Sequence, residues 1–198
     1  MNKRANTDFP IHPLLTERWS PRAFNGQAVE KEKLQRLFEA ARWAPSASNE
    51  QPWLFIIGLS GDETYQKIFS TLVEFNQLWT KTAPVLAVAI GRKSSVKTGK
   101  KNPWYGYDVG QSLAHLTFQA MHEGLYVHQM GGFEAEKISE LFQIEDDFEA
   151  LTVFTIGYPG DFKVLHPNLQ KSELAERQRK SQVDFVFSDK FGQKTTIF

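Results

Sequence analysis

Apolar positions recur along this chain in two rhythms, and their alternation lays out helices and strands in turn. In residues 30–43, Leu34, Leu37, Phe38 and Ala41 fall on one face of a helix, and Pro45 disfavours helical geometry at Ala44, so that helix is predicted to stop there. Residues 63–75, 108–123 and 134–141 carry the same spacing. The segment 108–123 is apolar on most sides and is predicted to be buried, with Asp108 as its N-cap and Gly124 at its C-terminal turn. Short apolar runs at 53–59, 84–90, 125–128 and 151–156 read as strands, with a late candidate at 183–187. No repeat or linker divides the chain, which predicts a single domain over 1–198. After the GYPG turn at 157–160 the sequence becomes polar, and residues from about 161 to 198 form a C-terminal extension. Its late strand could pair with the sheet edge or reach across a dimer to the other subunit.

Composition narrows the chemistry. Lys and Arg total 23 and so do Asp and Glu, so no global field recruits nucleic acid or an acidic membrane. Cysteine is absent, which excludes disulfides, thiol catalysis and cysteine-ligated clusters, so redox chemistry would require a bound cofactor. The five histidines, His12, His115, His122, His128 and His166, form no HExxH-type pair, and no metal site is expected. His115 and His122 read as packing or capping residues. The GxSxG elbow, the GxGxxG fingerprint and the P-loop are all missing. The N-terminus lacks an apolar leader region, and the apolar run 84–90 is far shorter than a membrane span of roughly 20 residues, so a soluble cytoplasmic protein is expected.

Local groupings then suggest a polar ligand. The loop APSASNEQPW at 44–53 sets small residues and the hydrogen-bonding groups of Ser46, Ser48 and Asn49 between a helix and a strand, as a ligand cover or as an ordinary connection would. In RWSPRAF, Arg18, Ser20 and Arg22 alternate, so an extended backbone points all three to one side. Two guanidiniums and a hydroxyl suit a phosphate, although a solvated pair has the same pattern. Arg177 and Arg179 alternate again in ERQRK. In HQMGGFE, Gly131 and Gly132 permit close approach of a planar ring to the backbone, or simply a turn.

The ordered set RWSPRAF, AARWAPSASNEQPWLFIIG, APVLAVAI, DVGQSLAHLTFQAMHEGL, MGGF, TIGYPG and RQRK resembles the FMN-dependent nitroreductase family over nearly the whole chain. The resemblance implies an α+β fold, an α/β/α sandwich around a mixed, mostly antiparallel sheet, in subunits interlocked as a homodimer with FMN at the interface. It implies that Arg18, Trp19 and Ser20 hold the FMN phosphate with Arg177 and Arg179, and that Arg22 lies toward the ribityl chain and flavin O2. Pro45, Ser46, Ala47 and Asn49 would come from the other subunit, Met130, Gly131 and Gly132 would face the flavin edge, and Asn76 would be a further edge contact. Trp104, Tyr105 and Tyr107 would line the substrate pocket, or else form an aromatic cluster. The implied activity is ping-pong hydride transfer from NAD(P)H through FMN to nitroaromatic, quinone or similar electron-poor acceptors, with no protein nucleophile. Alternatives on the same fold are dehalogenation, enal reduction, flavin fragmentation, or FMN binding without catalysis. Trp19 stands where members often carry a basic or polar residue, and Gly131 where some carry Glu.

Overall fold

A computed structural model describes residues 3–197. In chain order the elements are α1 (Pro13–Glu17), α2 (Lys31–Arg42), β1 (Trp53–Leu59), α3 (Glu63–Ser70), α4 (Glu74–Thr80), β2 (Val85–Arg92), α5 (Tyr105–His122), β3 (Tyr126–Met130), α6 (Ala135–Phe142), β4 (Phe148–Gly157) and α7 (Pro167–Leu174). The four strands form one sheet in the order β1-β2-β4-β3, and each neighbouring pair is antiparallel.

β2 explains the layering. Its side chains alternate between the two faces of the pleat, so the unbroken apolar run 85–90 must be covered on both. Leu86, Val88 and Ile90 pack with Ile68, Trp79, Met130, Ile138 and Val153, while Val85, Ala87 and Ala89 pack with Leu34, Leu37, Leu113, Leu116 and Phe154. The first face is therefore covered by α3, α4 and α6 and the second by α2 and α5, which gives the expected α/β/α sandwich. Gly58 on β1 permits part of this packing, because a Cβ there would stand 2.4 Å from the backbone nitrogen of Tyr65 on α3.

Three elements depart from the sequence reading. The helix expected over 63–75 is two helices, because the chain breaks at Thr71–Val73 to bond another segment: Thr71 O accepts from Glu134 N at 2.8 Å, and Val73 N donates to Gly132 O at 3.1 Å. Helix α5 starts at Tyr105, three residues ahead of the expected cap. Asp108 lies inside it, and its carboxylate accepts from the Ala47 N–H at 3.1 Å instead of capping its own helix. The other end is as expected: Gly124 has φ +76°, Leu125 N donates to Ala120 O and Gly124 N to Met121 O, the paired bonds of a Schellman turn. The late strand at 183–187 is not formed. Gln182–Asp184 is a 3-10 turn, and Phe187 makes only an isolated bridge to Lys194, because a strand needs a pairing edge and the described residues of this one chain supply none there.

Candidate functional site

The extended segment after α1 carries Arg18, Trp19, Ser20 and Arg22. Arg18 Nη1 donates to Ser20 Oγ at 3.4 Å, and burial first, then the charges of Arg177 and Arg179, hold Arg18 below the usual arginine range. Arg177 is likewise lowered by burial and by Arg179. Arg18 thus stands within electrostatic range of Arg177 and Arg179, which follow it by more than 150 residues of sequence. Among the described residues no carboxylate lies within ion-pair distance of any of them. Arg177 is fixed by Nη1 bonds to the carbonyls of Lys3 and Thr16, both 2.8 Å, whereas Arg179 is exposed and donates to the adjacent Gln178 carbonyl. The Nε of Arg22 is buried with no hydrogen-bond partner among the described residues. Trp19 makes no phosphate-type arrangement of its own: its ring meets Tyr126 edge-on at 6.2 Å and lies under Lys3 Nζ at 5.1 Å.

His128, which the sequence did not single out as a site residue, ties this segment to the sheet. Its Nδ1 is 2.9 Å from the Pro21 carbonyl, and an oxygen that can only accept requires Nδ1 to carry the hydrogen. Burial, with the nearby charges of Arg22 and Arg18 adding to it, lowers the imidazole to about 4, so it is neutral at physiological pH. The ring packs on Trp79 of α4 at 4.5 Å. One turn earlier on α4, Asn76 Nδ2 donates to Gly132 O at 3.0 Å. A Cβ on Gly132 would stand 2.7 Å from that Asn76 nitrogen and 2.9 Å from Val73 Cγ2, so a side chain there would push them aside, while a Cβ on Gly131 would meet nothing within 4 Å and the space beside it is open. The break between α3 and α4 therefore has a purpose: it brings Asn76 to the end of β3, where Met130, Gly131 and Gly132 follow His128.

The second group is elsewhere on the chain. Pro45, Ser46, Ala47 and Asn49 form the loop between α2 and β1, pinned by the Asp108 bond to Ala47, by Ser46 Oγ accepting from Gln51 N at 3.0 Å, and by Lys97 donating to the Ser48 carbonyl. Burial raises the pKa of Asp108, and the Ala47 bond opposes that shift. Ser48, Asn49 and Gln51 all have positive φ, at 52°, 55° and 48°. Three non-glycine residues in the left-handed region within four positions concentrate backbone strain of the kind that marks ligand contacts. Tyr105 packs across Gly91 and donates to Glu149, while Trp104 and Tyr107 are 58% and 67% exposed. Among the described residues no hydrogen bond or ring contact joins this group to the arginine, Asn76 and Gly131–Gly132 group.

Comparison with known proteins decides the family. The model of the nitroreductase family matches residues 15–158, well over half of the chain. The chain belongs to the nitroreductase family. A crystal structure of an FMN-containing oxidoreductase superposes with a TM-score of 0.91 at 35% identity, covering 98% of each chain. An Archaeoglobus fulgidus protein provisionally named NADH dehydrogenase/NAD(P)H nitroreductase is 26% identical over 156 residues, covering 76% of this chain and 86% of its own. A nitroreductase-family structure from Clostridium difficile 630, with a TM-score of 0.70 at 24% identity, covers 89% and 96% of the two chains and shares the fold. Among the described residues no helix is long and apolar enough to cross a membrane, and no cluster of three or more His, Asp or Glu side chains could hold a metal.

Proposed function

We propose that this nitroreductase is an FMN-dependent oxidoreductase that takes electrons from NAD(P)H and delivers them to nitroaromatic, quinone or similar electron-poor acceptors. The observation that carries the reading is the arginine cluster without a carboxylate partner beside a buried, unpartnered Arg22 Nε. Such a cluster costs stability unless an anion neutralises it, and a phosphorylated cofactor is an anion that bidentate guanidiniums grip well. The donor set fits FMN: Arg18, Ser20, Arg177 and Arg179 would hold the phosphate, Arg22 the ribityl and ring-oxygen side, and Asn76 with Met130, Gly131 and Gly132 the ring edge. The FMN-containing neighbour and the NAD(P)H-type names of the relatives point the same way.

FMN, when bound, supplies a redox centre that accepts hydride from NAD(P)H and passes it to the acceptor. The protein's own residues bind, orient and polarise. Arg22 would supply positive charge to stabilise the negative charge that a reduced ring accumulates. The open space beside Gly131 would leave room for a flat ring, and the exposed rings of Trp104 and Tyr107 offer stacking surfaces for flat reactants. One open face visited in turn by donor and acceptor gives ping-pong kinetics.

We also place the Pro45–Asn49 loop, with Trp104 and Tyr107, over the FMN of a second copy. The two residue groups lie apart on one chain, and a two-fold dimer would bring each group to the other's partner. Edge strand β1 offers Leu54, and the extension offers Phe185 at 58% and Phe191 at 99% exposure, as apolar surface for that assembly. The test of the activity is anaerobic mixing of the FMN-loaded protein with NADH or NADPH. Loss of the yellow absorption, and its return on adding an electron-poor acceptor, is the expected result. A flavin that neither nucleotide bleaches would overturn the enzyme and leave a binding protein.

A further inference from the structure

Glu173 is a buried carboxylate in the arginine-rich region, and it binds backbone there. It is 1% exposed at the end of α7, its Oε1 accepts from the backbone N–H of Arg22 at 2.5 Å, and its Oε2 is buried without a hydrogen-bond partner among the described residues. Its main-chain oxygen accepts from Lys3 Nζ, and the Lys3 carbonyl in turn accepts from Arg177 Nη1 at 2.8 Å. Immediately beyond, α7 ends and Ala175 turns extended (φ −58°, ψ 140°), launching Arg177 and Arg179. A negative group so close to a phosphate site opposes the ligand, so its place there calls for a geometric reason.

We propose that Glu173 is the positioning residue that joins the two halves of the phosphate clamp. By fixing the Arg22 N–H it sets the backbone of the Arg18–Arg22 segment, and by sitting at the end of α7 it fixes the point from which Arg177 and Arg179 reach Arg18. Lys3 closes the circuit between them. The inference rests on the FMN reading of the site, and it adds that C-terminal arginines are useful to the cofactor only while Glu173 holds Arg22. The relevant group is its acceptor oxygen, not its charge.

FMN titration of the full-length protein, followed by quenching of flavin fluorescence at fixed pH and salt, tests this in a double-mutant cycle of Glu173→Ala and Arg179→Ala. Each single variant is expected to weaken FMN binding by about tenfold, the scale of losing one charge-assisted hydrogen bond. With Glu173→Ala in place, adding Arg179→Ala should weaken it by less than about twofold more, because the arginine is already misplaced. Glu173→Gln keeps the acceptor and removes the charge, so it should bind FMN at least as tightly as the wild type. Glu173→Asp, too short to reach Arg22, should repeat the alanine behaviour and serves if Glu173→Ala does not fold. Additive losses in the cycle, or a Glu173→Gln protein as weak as Glu173→Ala, would overturn the latch while leaving the FMN site standing. A wild-type protein that takes up no FMN would overturn both.

Discussion

Arg18, Arg177 and Arg179 repel one another in the folded chain, and an anion among them converts that repulsion into attraction. Replacing Arg18 and Arg179 together by Ala is expected to weaken FMN binding at least about tenfold, with the reduction rate of whatever FMN remains bound little changed; raised salt should weaken the wild type more than the variant. Unchanged affinity in the titration would contradict the clamp. His128 makes a separate claim. Its folded-state value near 4 lies below the 6.5 of an unfolded histidine, so between those values the unfolded chain holds a proton that the folded chain lacks. Its contribution to stability is present above about 6.5 and is lost as pH falls toward 4, by up to about 3 kcal/mol. Thermal unfolding across that range should show a steeper loss for the wild type than for His128→Gln, and parallel slopes would assign the pH dependence to another group. Neither His128 nor Glu173 was legible as a site residue in the sequence. What defines them is a carbonyl or amide more than 100 residues away, and no local pattern encodes that pairing.

At the scale of elements, legibility followed how far the controlling interaction was local. The run at 84–90 was readable as a strand because residues 85–90 of β2 are all apolar, and the end of α5 was readable because glycine takes a left-handed turn at the least cost. The single helix over 63–75 was misread because its break is enforced by hydrogen bonds to residues 132–134, and the late strand because pairing is a property of the sheet and not of the segment. Asp108 carried a good N-cap signal, yet tertiary structure claimed its carboxylate for Ala47. The fit of α3 on β1 yields a direct check. A Cβ at Gly58 would stand 2.4 Å from the Tyr65 nitrogen, where backbone cannot yield as a side chain would. Gly58→Ala should therefore cost about 1–3 kcal/mol of stability, read as a lower urea midpoint with the slope unchanged. A neutral substitution would mean that α3 moves freely on the sheet.

For the whole molecule, the family match and the layered fold leave one structural question: how two groups of candidate cofactor residues that do not touch within a chain come to act together. The family resemblance already assigned 45–49 to the second subunit, and the separation of the two groups in the described residues is the physical reason to propose it. A shared site makes dimerisation and FMN retention one event, since each cofactor would lose a wall when the subunits part. Sedimentation of the FMN-loaded protein, followed at the flavin absorption across a dilution series, tests this most directly. Flavin is expected to sediment with a dimer at two FMN per two chains and to be released as the dimer dissociates. Flavin that stays fully bound to a stable monomer would contradict the shared site.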